Sequence, residues 1–214
     1  MLHTLRTRHT LRTRHTLREQ TGVMMKAVQV LSLTLLSVLA VSAMTFHSGR
    51  CPTPPVQQSF DPTRYMGRWY EIQKIPNAFQ LGECAQATYT LKDGVVLVLN
   101  EELLADGTVS RIEGTAKAKD PSEPAKLEVS FFEGVPPGNY WVLSTDYDNY
   151  TLVYGCTNYL NLFHVEFAWI LSRGRSLPKE TLVELQDILI SNGIKIDTLT
   201  STDQELKRCS AMPQ

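Results

Sequence analysis

From Gly67 to Leu171 the sequence is a succession of short apolar runs, each cut off by a turn signal. "GRWYEIQKI" stops at Pro76, and "CAQATYTL" runs into Asp93-Gly94, a strong hairpin dipeptide. "VVLVLNEELL" ends at Ala105-Asp106-Gly107, and "TVSRIEGTAKA" follows with alternating character. "AKLEVSFF", "YWVLSTD", "YTLVYGC" and "LFHVEFAWIL" complete the series, with "DPSEP", "EGVPPGN" and "YDN" as breaks. This pattern predicts eight strands at a spacing of about 8–12 residues. Links this tight make sequential neighbours antiparallel.

The period then changes. In "SLPKETLVELQDILISNG", Leu182, Leu185, Ile188 and Leu189 fall on one helical face. Pro178 and Glu180 stand near its start, and Asn192-Gly193 stands where a C-cap belongs. A short "IKIDTL" strand is expected next, and then a tail carrying Cys209. Eight antiparallel strands followed by one helix suit an all-β fold, a closed up-and-down barrel with the helix packed outside. A two-sheet sandwich competes, but it needs crossovers that hairpin links do not provide. A barrel of eight strands can enclose one small ligand.

Upstream, residues 1–23 open with a six-residue basic repeat, "HTLRTR", that has no apolar period and no part in a core. Residues 24–43 read as a secretory signal peptide: Lys26, the apolar "AVQVLSLTLLSVLAV", and Val41-Ser42-Ala43 as a cleavage site. The apolar run is shorter than the roughly 20 residues of a membrane span, and no later segment is apolar enough to span. The expected mature chain, 44–214, forms a single domain and is secreted. It carries 15 basic and 21 acidic residues, a net charge near −6, which argues against nucleic acid or an anionic membrane as partner.

All four cysteines (Cys51, Cys84, Cys156 and Cys209) lie in that mature chain, so two disulfides are expected, with three pairings open. No C-x-x-C pair occurs, and only His47 and His164 remain to complement the thiols, so no metal site is expected. No nucleophile elbow, phosphate loop or dinucleotide fingerprint appears either, and no cofactor or enzymatic activity is expected.

Gly67-x-Trp69 on the first strand, Thr145-Asp146-Tyr147 at the sixth-to-seventh turn and Arg173 past the eighth strand resemble the three signature regions of the lipocalins. The resemblance runs in order over nearly the whole mature chain. It implies that Trp69 plugs the closed end of the barrel with Arg173 laid over its ring, a contact worth about 0.5–2 kcal/mol. It also implies the pairs Cys51–Cys156 and Cys84–Cys209. Relatives can carry a further cysteine at the position of Asn158, so an intermolecular disulfide through that position is not implied here. The implied function is carriage of small hydrophobic ligands, fatty acids such as arachidonate and steroids such as progesterone. Lipoprotein particles or a cell-surface receptor would be further partners.

Alternation along the last strand places Phe167 and Trp169 toward the cavity, with Val165 and Leu171 on the same face. The resemblance independently puts a ligand-contacting tryptophan at Trp169. Parity adds Tyr89, Leu127, Val129, Phe131 and Tyr140 as wall residues. Asn100 and Glu102 would bring polar tips near the open end, although both faces of "VVLVLN" are apolar and parity there does not decide. Leu104 stands where an arginine would favour carboxylates, which leaves acid against neutral sterol open. His164 reads as a residue without a partner cluster, facing solvent or the helix. Asn149-Tyr150-Thr151 is a glycosylation sequon at a surface turn. Two other functions compete with a carrier: a secreted interaction protein with a filled barrel, and an isomerase using Cys84 as a free thiol.

Overall fold

The computed structural model describes residues 46–213. The basic repeat and the signal peptide both lie outside the described residues. Ten strands form one antiparallel sheet: β1 (Phe46–Ser48), β2 (Gly67–Lys74), β3 (Glu83–Lys92), β4 (Val95–Leu103) and β5 (Val109–Ala118) come first. They are followed by β6 (Lys126–Ser130), β7 (Gly138–Thr145), β8 (Tyr150–Tyr159), β9 (Phe163–Ser172) and β10 (Thr200–Ser201). Strands β2 to β9 pair in sequence order, and β9 returns to β2 through Tyr70↔Ser172, Glu71↔Leu171 and Lys74↔Trp169. That pairing closes an eight-stranded up-and-down barrel, so the sandwich is excluded.

The hairpin between β3 and β4 shows how local chemistry sets the register. Asp93 and Gly94 both have positive φ, +50° and +78°, the pair of left-handed residues a two-residue turn needs. Lys92 then faces Val95, and the ladder continues to Ala87↔Asn100. Because side chains alternate, this register turns Tyr89, Val98 and Asn100 together toward the interior.

Two pieces escape the sequence pattern. A four-residue helix, α1 (Pro62–Tyr65), precedes β2, and the Asp61 carboxylate caps it by accepting from the Thr63 and Arg64 amides. The strand expected over "IKIDTL" is displaced: Ile194 is buried and Thr200–Ser201 form the pairing segment instead. That segment fills a seam, since β3 pairs with β2 only from Gly67 to Tyr70 and β10 takes up Gln73 and Lys74. Gln204 bridges the seam, its Nε2 donating to Glu71 O at 3.0 Å and Ala85 O at 2.8 Å.

The second helix, α2 (Lys179–Ser191), buries Leu185 and Leu189 against Ile72, Leu152, Tyr154, Ala168 and Ile170 on the outside of the barrel. A second core lies inside, around Trp69, Phe60, Tyr65, Tyr89 and Val142. The disulfides are Cys51–Cys156 and Cys84–Cys209, closing separations of 105 and 125 residues. In the chain-entropy picture each loop of that size is worth about 4–5 kcal/mol.

Candidate ligand cavity

The barrel encloses a cavity of about 690 Å³. Its wall is mainly aliphatic and aromatic, with Val96, Val98, Leu127, Val129, Phe131 and Phe167 among the contributors. Tyr89, Asn100, Glu102, Leu127, Val129, Phe131, Tyr140, Phe167 and Trp169 all line it, as does Leu171, whereas Val165, expected on the same face, does not. Trp169 stacks near Phe167, with ring centroids 6.0 Å apart, and its Nε1 donates to Gln80 Oε1 at 3.0 Å.

Among the polar lining residues, Gln80, Glu71 and Tyr65 are not marked by the sequence pattern, and Glu102 is marked without its partner. Gln80, on the β2–β3 loop, also donates to the Glu71 carboxylate and so ties the loop to the barrel wall. Glu71 itself is 2% exposed, receives Lys74 Nζ at 3.1 Å and accepts from the Thr202 hydroxyl. Burial pushes its carboxyl up, against the opposing pull of Lys74. Glu102 accepts from the Gly82 amide at 2.7 Å, which orders the end of the same loop. Tyr65, from α1, reaches the cavity floor; its Oη lies 2.8 Å from Tyr140 Oη and 3.1 Å from Thr151 Oγ1. The irregular loop Pro76–Gly82 has no strand alternation and so gives no parity signal for Gln80, while Tyr65 could be suspected only from its place just before the Gly67 turn.

The closed end is built around Trp69, which is fully buried and donates from Nε1 to Tyr65 O at 2.9 Å. The Arg173 guanidinium carbon lies 3.7 Å from the Trp69 ring centre. Its nitrogens donate to Tyr147 O at 2.9 Å, Arg68 O at 2.8 Å and Met66 O at 2.8 Å. Gly67 has φ +94°, and a Cβ built there would sit 3.3 Å from Arg173 Nη1, so a side chain at this position is strained twice over. The β7–β8 turn completes the assembly. Thr145 Oγ1 donates to Tyr150 O, and the Asp146 carboxylate accepts from the Asn149 and Tyr150 amides. The Tyr147 hydroxyl accepts from the Asp61 amide at 2.9 Å, fastening the start of α1.

A lipocalin-like domain family matches residues 60–204. The chain is a lipocalin. It is similar to apolipoprotein D of Cavia porcellus, 56% identical over 178 residues, covering 80% of this chain and 94% of that protein. Apolipoprotein D of Mus musculus is 53% identical over 181 residues, covering 80% and 96%. Among solved structures, insecticyanin from the tobacco hornworm Manduca sexta superposes with a TM-score of 0.68 at 28% identity, covering 78% of this chain and 92% of that one.

Outside the cavity, this lipocalin departs from the sequence reading at His164. It is 6% exposed and belongs to a cluster, with its Nε2 3.8 Å from Glu166 and its ring 5.4 Å from that of His47. The cause is β1, which pairs with β9 through His47↔His164 and covers what the pattern leaves open. Tyr154 also donates to Glu166, at 2.9 Å. Cys84 is fully buried and bonded to Cys209, so the thiol that the isomerase reading requires is absent from it. Asn158, at the position of the further cysteine, accepts from the Cys51 amide at 2.8 Å and supports the first disulfide. Asn149 is exposed at its turn, with its amide donating to Asp146 Oδ2 at 2.8 Å. The open rim carries exposed Phe79, Leu81, Phe132, Val135, Leu160 and Leu162. Among the described residues, no helix is long and apolar enough to cross a membrane.

Proposed function

We propose that this chain is a secreted carrier of small hydrophobic molecules, with fatty acids such as arachidonate and steroids such as progesterone as the candidate cargo. The observation that carries the reading is the cavity of about 690 Å³, large enough for a drug-sized ligand and walled by apolar side chains. That volume also weighs against an interaction protein with a filled barrel. Secretion is supported by the two disulfides and by the signal-like residues 24–43. Asn149 is the proposed glycosylation site. The apolar rim supports contact with lipoprotein particles or with a cell-surface receptor during delivery.

Tryptophan fluorescence tests the carrier directly. Trp69 lies sealed under Arg173 and Trp141 packs in the outer core, so among the three tryptophans Trp169 is the reporter on the cavity wall. Titration with arachidonate, progesterone and retinol should quench saturably for the cargo class, and Trp169→Phe should abolish the signal. Absence of saturable quenching with all three would refute the carrier reading.

A further inference from the structure

The outer face of β9 buries a carboxylate whose ion-pair candidates are two histidines. Glu166 Oε1 accepts from the Tyr154 hydroxyl at 2.9 Å and lies 3.8 Å from His164 Nε2. Its other oxygen, Oε2, lies 3.7 Å from His47 Nε2. Among the described residues, no lysine or arginine pairs with Glu166. The two histidines stand directly opposite each other across the β1–β9 ladder, with ring centres 5.4 Å apart.

The backbone fixes which nitrogen of His164 holds its hydrogen. Nδ1 lies 3.1 Å from Gly49 O, and a carbonyl can only accept, so Nδ1 is the donor. In a neutral ring Nε2 is then a bare lone pair beside a carboxylate oxygen. Two acceptors face each other, and neither gains from the contact. A second proton, on Nε2, makes the ring a cation with a donor beside Oε1, and the contact becomes attractive. Tyr154 supplies no charge of its own: burial and the Glu166 carboxylate push its phenol up, so it stays a neutral donor. His47 reaches the other oxygen and is the second place for the proton. With the rings this close, one proton on the pair discourages another.

What the cluster holds is slight. β1 is three residues long, and two of the three are exposed. Beyond the ladder, Phe46 meets Tyr159 and Phe163 edge-on, and Gly49 N donates to Leu162 O at 2.9 Å. The next covalent hold is the Cys51–Cys156 disulfide. An element held by so few contacts opens easily, so one charge-assisted bond changes how often it does. Leu160 and Leu162 stand on the open rim, and the bond from Gly49 makes β1 a brace for that lip of the barrel.

We infer that His47, His164 and Glu166 form a proton-operated latch: one proton held by the imidazole pair fastens β1 to β9, and its loss loosens the strand and the rim hairpin beside it. Between the ordinary ranges of a carboxylate and an imidazole, roughly pH 4.5 to 6.5, a charged ring faces an ionised carboxylate and the latch is fastened. Above that window the ring loses its proton and the attraction goes with it. The latch lies outside the cavity and acts whatever the barrel holds.

Amide hydrogen exchange of the purified protein, followed by mass spectrometry at about pH 5.5 and pH 8 and corrected for intrinsic rates, reads the latch directly. Protection over residues 46–49 should be about tenfold higher at the lower pH, the worth of one hydrogen bond to a charged group. The β4–β5 ladder is the internal reference and should not share that gain. Glu166→Gln keeps an acceptor and removes the charge. His164→Asn keeps an amide donor for Gly49 O without an Nε2, and is combined with His47→Gln so that no imidazole remains. Each of these two proteins should lose the acid gain over residues 46–49. Equal protection at both pH values in the wild type would overturn the latch. So would a gain that survives in Glu166→Gln, or one that the β4–β5 ladder shares, which would mark a change in global stability. The wild-type comparison decides by itself where a variant does not fold.

Discussion

Replacing Arg173 with methionine keeps most of the apolar stem and removes the guanidinium. Three bonds of 2.8–2.9 Å to Tyr147 O, Arg68 O and Met66 O disappear, together with the cation over Trp69. Hydrogen bonds from a charged donor contribute about 1.5–3 kcal/mol each, and the cation–π contact about 0.5–2 kcal/mol. The simple total overstates the loss, because Arg173 is only half-buried and water can reach some of the freed carbonyls. A loss of about 3 kcal/mol is expected. With a urea slope of about 2 kcal/mol per molar, the unfolding midpoint should fall by about 1.5 M with the slope unchanged. Arg173→Lys keeps the charge but offers a point donor where a planar fork spans separate carbonyls, so it should recover only part of the loss. Gly67→Ala provides a coupled check. Its cost has two sources, the positive φ and the 3.3 Å approach of Arg173 Nη1. Only the second vanishes in the Arg173→Met background, so the double variant should be less unstable than the sum of the singles. A loss under about 1 kcal/mol for Arg173→Met, or strict additivity with Gly67→Ala, would refute the clasp as the organiser of the closed end.

Two further expectations concern Glu71 and Asn149. The folded-state pKa of Glu71 is raised above its unfolded value by burial, so its contribution to stability is fully present below the unfolded pKa and is lost as pH rises through the folded pKa. Each unit of that rise is worth about 1.4 kcal/mol. Urea midpoints measured between pH 4.5 and 8 should therefore decline less with pH in Glu71→Gln than in wild type, and parallel profiles would disprove it. Protein secreted from eukaryotic cells should lose mass on glycosidase treatment, and Asn149→Gln should remove the change. An unmodified wild-type chain would show that the Asn149 turn is not used.

Much of the barrel was legible because its determinants are local. Asp93-Gly94 specifies a two-residue turn through two left-handed residues, and alternation along β9 separates Phe167 and Trp169 from Ala168 and Ile170 without reference to the rest of the fold. Helix α2 announced itself in the same way, through the spacing of Leu182, Leu185, Ile188 and Leu189. Local patterning fails where a residue answers to a distant segment. The sequence pattern gives His164 no partner because the strand that buries it, Phe46–Ser48, is three residues long and carries no strand pattern of its own. The "IKIDTL" segment has strand-like alternation, yet the pairing edge offered by Gln73 and Lys74 is met by Thr200 and Ser201.

Taken by itself, the sequence determined the number and order of the barrel strands, the external helix and the inward-facing side of strands such as β9 that alternate clearly, because turn chemistry and a period of two act over a few residues. The pairing of four cysteines, the seam closed by Gln204, the grip of Gln80 on Trp169 and the meeting of Tyr65, Tyr140 and Tyr89 were decided only by the tertiary structure. Tyr65 comes from a four-residue helix before the barrel, Tyr89 from β3 and Tyr140 from β7. Their hydroxyls converge because closure of β9 onto β2 curls the sheet around one interior. That closure is a contact between residues about a hundred positions apart, for which no local pattern of side chains carries a signal.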